Sequence, residues 1–188
     1  SSHVIPDLLV VIVPDLVCVL MCATATVTDL RSYRIPNWLT LSGVLAGLVL
    51  NTLLVGLKLG PGAAFSLGLV SSVAGCLVLL ISFGVLGVIN FVGFGDVKLM
   101  AAVGALLRWP VALWALAYVT IAGGVLGLLY SVGRGRLGKV LANMFRLSKR
   151  LVGKREEVEL HRIPYAAAIL VGATWAALLK YVPSLRIP

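Results

Sequence analysis

Two carboxylates are set apart in a chain that otherwise keeps acids out of its apolar stretches. Asp29 ends the first apolar run and Asp96 opens the fourth, with 66 residues between them. Two carboxyl groups held close cannot both ionise cheaply, so such a pair shares one proton. The ionised member can take a proton from a water aimed at a peptide carbonyl. The protonated member donates to that carbonyl's oxygen, and the roles reverse as the amine leaves. Peptide hydrolysis by this route needs neither a nucleophilic side chain nor a metal. Taken singly, each acid has a plainer reading: Asp96 after Gly95 caps a helix N-terminus, and Asp29 pairs with Arg31 or Arg34 as a loop anchor. The two together point to function, because an ionisable group costs roughly 2.5–3.5 kcal/mol at the membrane centre on insertion scales.

The other reactive side chains support no competing chemistry. Asp7 lies near the start of the chain, and Glu156, Glu157 and Glu159 fall in a basic loop. Asp15 follows Pro14, which suits the first turn of a helix that starts later than residue 8, where the helix dipole favours a carboxylate. His3 and His161 lie at the terminus and near the last apolar run, and no metal site is visible. Cys18, Cys22 and Cys76 sit in apolar stretches without zinc spacing and read as small core residues. Ser42, Ser71, Ser72 and Ser82 have no histidine nearby, and no cofactor motif is present.

The elements that must hold Asp29 and Asp96 follow from composition. The 188 residues are 60% hydrophobic and 12% charged, against about 45–50% and 25% in an average soluble domain. With a mean hydropathy of +1.06, this excludes an ordinary cytosolic domain and a disordered chain. The expectation is an all-α polytopic membrane protein, one domain over 1–188, with six transmembrane helices near 8–28, 38–57, 63–88, 95–108, 110–132 and 163–183. The first run, after what reads as a tag remnant at Ser1-Ser2-His3, is too long for a cleaved signal peptide and lacks its basic flank. The third is long enough to tilt. The fourth is short, bounded by Gly93-Phe94-Gly95 and Arg108-Trp109-Pro110, and such segments persist at membrane depth only where protein or a water cavity covers them. Pro164 suits the first turn of the last span, and 57–62 forms a turn.

Charge sets the orientation. There are 16 Lys and Arg against seven acids, for a net charge of +9. Nine of the basic residues lie between Arg134 and Arg162, a distribution that reads as topology rather than nucleic-acid binding. Loops after spans one, three and five carry twelve Lys and Arg against four on the other side. Positive-inside bias then puts both termini outside and the two aspartates at the cytoplasmic side. Within 133–162, apolar residues from Leu137 to Val152 recur at helical spacing among Lys139, Arg146, Lys149 and Arg150. This reads as a basic amphipathic helix on anionic headgroups, or as a docking surface.

The surroundings of the pair suit close packing. Gly93 and Gly95 remove side chains just before Asp96 and let backbones approach, or simply loosen a loop. Pro36 fixes the entry into the second span, and Asn37 either caps that helix or hydrogen-bonds toward the site. Lys98 either snorkels to headgroups or tunes the carboxyl pair.

In these motifs the chain resembles the type IV prepilin peptidases, the GxGD class of intramembrane aspartyl proteases. The resemblance rests on Asp29-Leu30-Arg31 leading to Arg34-Ile35-Pro36-Asn37, and on Gly93-Phe94-Gly95-Asp96-Val97-Lys98-Leu99. Ile163-Pro164-Tyr165-Ala166 is a third, weaker echo, with Ala166 where relatives often have glycine. The resemblance implies a GxGD aspartyl protease-like fold in a bacterial or archaeal cytoplasmic membrane. It also implies cleavage of prepilin-like precursors at the cytoplasmic face, just before their hydrophobic helix. Asp29 and Asp96 would be the catalytic pair, with Gly93, Gly95 and Lys98 completing the second motif and no cofactor required. Many bacterial relatives carry a large insertion between the first spans, often with paired CxxC motifs, and also methylate the new pilin N-terminus. The segment from Asp29 to Trp38 is short and has no cysteine, so the expectation is a peptidase without methyltransferase activity, similar to the short forms serving Tad/Flp pili. By sign, Glu156, Glu157 and Glu159 suit a cationic leader better than the basic stretch does. The rival from another class is a proton-coupled transporter or channel using the same aspartates as a relay; a non-catalytic membrane scaffold is a third reading.

Overall fold

The computed structural model describes residues 7–32, 34–88, 92–133 and 165–181. Among these, every regular element is helical: α1 (Asp7–Ser32), α2 (Asn37–Leu59), α3 (Pro61–Ala63), a π segment (Ala64–Val70), α4 (Ser71–Val88), α5 (Phe94–Leu107), α6 (Val111–Gly133) and α7 (Tyr165–Leu178). Four rods are long and apolar enough to cross a membrane: Leu9–Ser32, Asn37–Leu59, Pro61–Val88 and Val111–Leu129. The all-α polytopic expectation therefore holds. The six expected spans correspond to these four rods plus α5 and α7.

Helix patterning is that of a chain whose solvent is lipid. On α2, Leu41, Leu45, Val49, Leu53 and Leu57 form an exposed apolar stripe, whereas the buried side carries Gly43, Gly47, Asn51 and Val55. Lipid tails are as apolar as leucine, so helices join through close packing of small residues and through hydrogen bonds. The same division appears on α4, where Ser72, Gly75, Leu79, Phe83 and Gly87 face inward.

At the centre lies α5, touched by α1, α2, α4, α6 and α7. Its 14 residues span only ~21 Å at 1.5 Å per residue, short of a hydrocarbon core of about 30 Å. The deficit is met by coverage, as the Gly-bounded sequence suggested: Val97 and every residue from Leu99 to Leu107 are buried. A helix ending inside a bundle leaves carbonyls without partners. Asn51, fully buried on α2, donates through Nδ2 to the carbonyls of Ala105 at 3.0 Å and Leu106 at 3.2 Å. Gly75 and Gly104 form the closest seam between α4 and α5, where an added Cβ on either would collide with the other's backbone. Arg108 then leaves the helix at φ 63, and the Trp109 N–H donates to the Ser71 carbonyl at 2.9 Å.

Two expectations need correction. α1 starts at Asp7, so Pro14 lies inside the helix and Asp15 is not a first-turn residue. Its carboxylate is buried and instead meets Lys180 Nζ at 2.5 Å and Tyr181 Oη at 2.9 Å. The last span, drawn over 163–183, is helical among its described residues only over Tyr165–Leu178, because Leu179 to Tyr181 turn. That turn carries Lys180 and Tyr181 to Asp15. The basic loop 133–162, apart from Gly133, lies outside the described residues.

Candidate active site

Asp29 belongs to α1 itself, which runs three residues beyond it. On that helix the buried residues Asp15, Cys18, Cys22 and Ala25 follow one another at spacings of three and four. Asp29 is the next member of the same stripe, half-buried at its end. The hydroxyls of Thr24, Thr26, Thr28 and Ser32 bond back to main-chain carbonyls three or four residues earlier. This settles their polarity within an apolar helix.

Asp96 enters from the other side. Gly93, extended at φ −67 and ψ 145, is the N-cap of α5, which makes Asp96 the third helical residue. The N–H groups of Asp96 and Val97 donate to the Gly93 carbonyl at 3.0 and 3.2 Å. The Asp96 carboxylate stands beside Gly93, its Oδ2 3.2 Å from where a Cβ on that glycine would be. Asp96 thus lies in the first turn of α5, where the helix dipole favours a carboxylate. Its Oδ1 is buried with no hydrogen-bond partner among the described residues. A buried acceptor in that state is costly and calls for an explanation. Asp29 and Asp96 lie within electrostatic range of one another, so the structure brings the two acids together from α1 and α5.

The flanking motif residues converge on the same end. Ile35 faces Gly95, 3.4 Å from where an added Cβ would stand and so in ordinary van der Waals contact with it. Pro36 is the N-cap of α2 and its carbonyl accepts from Leu39 and Thr40. Asn37 makes no capping bond; its Oδ1 accepts from Lys98 Nζ at 2.9 Å. Of the two readings for Asn37, the bond toward the site is the observed one, and Lys98 is a clasp between α5 and α2. Arg34 is exposed. Glu156, Glu157 and Glu159 lie outside the described residues.

Tyr165 was underweighted by sequence reasoning. It opens α7, its ring sits 6.2 Å from that of the fully buried Phe83, and it lies within electrostatic range of Asp96. Gly123 on α6 leaves it room, since a Cβ there would collide with its ring and hydroxyl. The signal was the Tyr165-Ala166 echo itself; what hid its place was the 68 residues separating it from Asp96. Among the described residues no three His, Cys, Asp or Glu side chains gather as a metal set would require.

Comparison with known proteins gives the family. The sequence model of the type IV leader peptidase family matches residues 16–130, which contain both aspartates. The chain is 32% identical over 123 residues to proteins named prepilin leader peptidase/N-methyltransferase from two strains of Burkholderia pseudomallei, covering 64% of this chain and 37% of theirs. It is 29% identical over 137 residues to the protein of that name from Myxococcus xanthus, covering 68% of this chain and 37% of the relative. The chain thus spans little more than a third of the length of these relatives. No solved structure matches it. With most of its membrane helices, and both acidic motifs, inside the matched segment, the chain belongs to the type IV leader peptidase family.

Proposed function

We propose that this chain is a membrane-embedded aspartic endopeptidase that removes the leader from prepilin-like precursors, with Asp29 and Asp96 as its catalytic pair. The observation that carries the reading is that two carboxylates from separate helices lie within electrostatic range at one end of the bundle, one of them with a buried oxygen that has no hydrogen-bond partner among the described residues. A water or a substrate carbonyl is the natural partner for that oxygen. With one proton between the pair, the ionised carboxylate takes a proton from water as its oxygen adds to the scissile carbonyl. The protonated carboxyl donates to the carbonyl oxygen. Collapse of the tetrahedral intermediate breaks the C–N bond, the amine leaves with a proton, and the pair returns to its starting state.

Gly93 and Gly95 keep side chains away from the carbonyl's approach, and the Lys98–Asn37 clasp, with Pro36 before it, holds α5 against α2. The charge count supports a site at the cytoplasmic face with both termini outside. It also supports contact of the 133–162 loop with anionic headgroups, and of Glu156, Glu157 and Glu159 with a basic leader. The short cysteine-free segment between α1 and α2 favours hydrolysis without methyl transfer. The test is cleavage of a purified precursor. Asp29→Asn and Asp96→Asn should each lower the rate by roughly 10²–10⁴-fold while thermal unfolding in detergent stays close to that of the parent. Undiminished cleavage by both variants would overturn the assignment.

A further inference from the structure

Two independent observations bring Tyr165 to the carboxylate pair. α1 and α7 pack together, and Asp15 in the first half of α1 meets Lys180 in the turn that follows α7, so the two helices run antiparallel from that contact. Asp29 lies fourteen residues further along α1 and Tyr165 fifteen residues back along the chain, about 21 and about 22 Å at 1.5 Å per helical residue. Both therefore stand at the same level of the bundle. The second observation concerns the other acid, because Tyr165 lies within electrostatic range of Asp96. Two carboxylates, from α1 and α5, and a phenol from α7 thus share one end of the molecule.

Packing fixes the ring. The fully buried Phe83 of α4 lies 6.2 Å away between centroids, with the two planes tilted by 60°. The hydroxyl end lies over Gly123 of α6, where an added Cβ would collide with it. Among the described residues no hydrogen bond engages that hydroxyl. Other donors on α1 and α5 are committed: the hydroxyls of Thr26, Thr28 and Ser32 bond back to α1 carbonyls, and Lys98 Nζ donates to Asn37 Oδ1. Placed by packing and not by a partner, the Tyr165 O–H is available to a group that enters beside Asp96.

We infer that Tyr165 is a third residue of the reacting site, its hydroxyl donating a hydrogen bond to the oxygen of the scissile carbonyl as the tetrahedral intermediate forms. The inference rests on the endopeptidase reading above. A carbonyl oxygen has two lone pairs. The protonated carboxyl of the pair serves one, and the charge that grows on this oxygen as water adds calls for a donor at the other. A donor held in place before the reaction stabilises that charge without reorganising, most strongly where water is excluded. The phenol keeps its own proton throughout, so the pair alone carries the acid and base steps.

Steady-state cleavage of a full precursor in proteoliposomes tests this with Tyr165→Phe, which keeps the ring between Phe83 and Gly123. kcat should fall by about 10²-fold, the scale of one lost donor of this kind, with KM and the unfolding midpoint in detergent close to the parent's. The bell-shaped pH profile of a coupled pair should lose height while both limbs keep their positions, since the carboxyls still share their proton. Parental kcat in Tyr165→Phe overturns the inference and leaves the ring a packing role only. So does a rise in KM at unchanged kcat, the mark of a contact made equally in the ground state. Displacement of either limb overturns it too, because the hydroxyl then acts on the carboxyls and not on the substrate. In all three cases the parent still cuts and the aspartate variants do not, so the endopeptidase reading stands. A parent that cuts no precursor sinks that reading, and the assignment of Tyr165 with it.

Discussion

Asp96 carries a buried oxygen without a hydrogen-bond partner among the described residues, and Asp29 lies within its electrostatic range. Coupled carboxyls titrate as a pair, so the activity of the proposed peptidase should follow a bell-shaped pH profile. On the acid side kcat/KM falls as the second carboxyl gains a proton and no base remains. On the alkaline side it falls as the shared proton departs and no acid remains. Initial rates of precursor cleavage across pH provide the check, and a flat profile would count against two cooperating carboxyls. Both acids and their neighbours were legible in the sequence because apolar surroundings make ionisable groups conspicuous. Tyr165 was not, because a tyrosine at the end of an apolar run is an ordinary interfacial residue. Its place near Asp96 depends on Gly123, on another helix, leaving room for its ring. Gly123→Ala should therefore push the ring away and lower kcat, by about tenfold if a displaced neighbour costs the pair its alignment. Tyr165→Phe, which keeps the ring and removes the hydroxyl, separates packing from polarity in the same assay.

At the scale of elements, α5 explains how an acid is held at one end of a bundle without crossing it. A 14-residue helix is stable in this position only if its ends are served by others, and Asn51 serves the C-terminal end. Asn51→Leu keeps the volume and deletes both donors, leaving the Ala105 and Leu106 carbonyls to the apolar interior. A loss of roughly 1–3 kcal/mol is expected for stranded buried acceptors, read as a lower midpoint of unfolding in mild detergent. Sequence patterning found the short helix because glycines and a proline bracket it. It could not find its cap, since the partners are more than fifty residues apart, and it missed the π segment, which depends on close backbone packing. There Gly68 lies against Asn51 and Thr52, 2.8–2.9 Å from an added Cβ. Hydropathy reports where a helix is apolar, not which of its residues meet.

Across the whole molecule, polar groups collect at two ends with an apolar interior between them. Asp29, Asp96, Asn37 and Lys98 occupy one end; Asp15, Lys180 and Tyr181 occupy the other, with Arg108 in their electrostatic neighbourhood. α1 joins the two ends, because Asp15 and Asp29 close the same buried stripe fourteen residues apart, about 21 Å along the helix. α7 joins them again, from Tyr165 near Asp96 to the turn that follows it at Lys180. The Asp15–Lys180 pair ties α1 to the turn after α7, and setting register is the best-attested use of a buried ion pair. Asp15→Ala removes the buried carboxylate that meets both Lys180 and Tyr181 and should destabilise the fold by roughly 3–5 kcal/mol. Replacing both partners, Asp15→Leu with Lys180→Met, exchanges the ion pair for apolar packing and should recover most of that stability. Register is a separate matter from stability: the recovered double variant lacks the polar contacts of Asp15 that tie α1 to the turn after α7. Its unfolding midpoint should return toward the parent's while its kcat for precursor cleavage stays low, and recovery of both together would show that packing alone sets the position of Asp29.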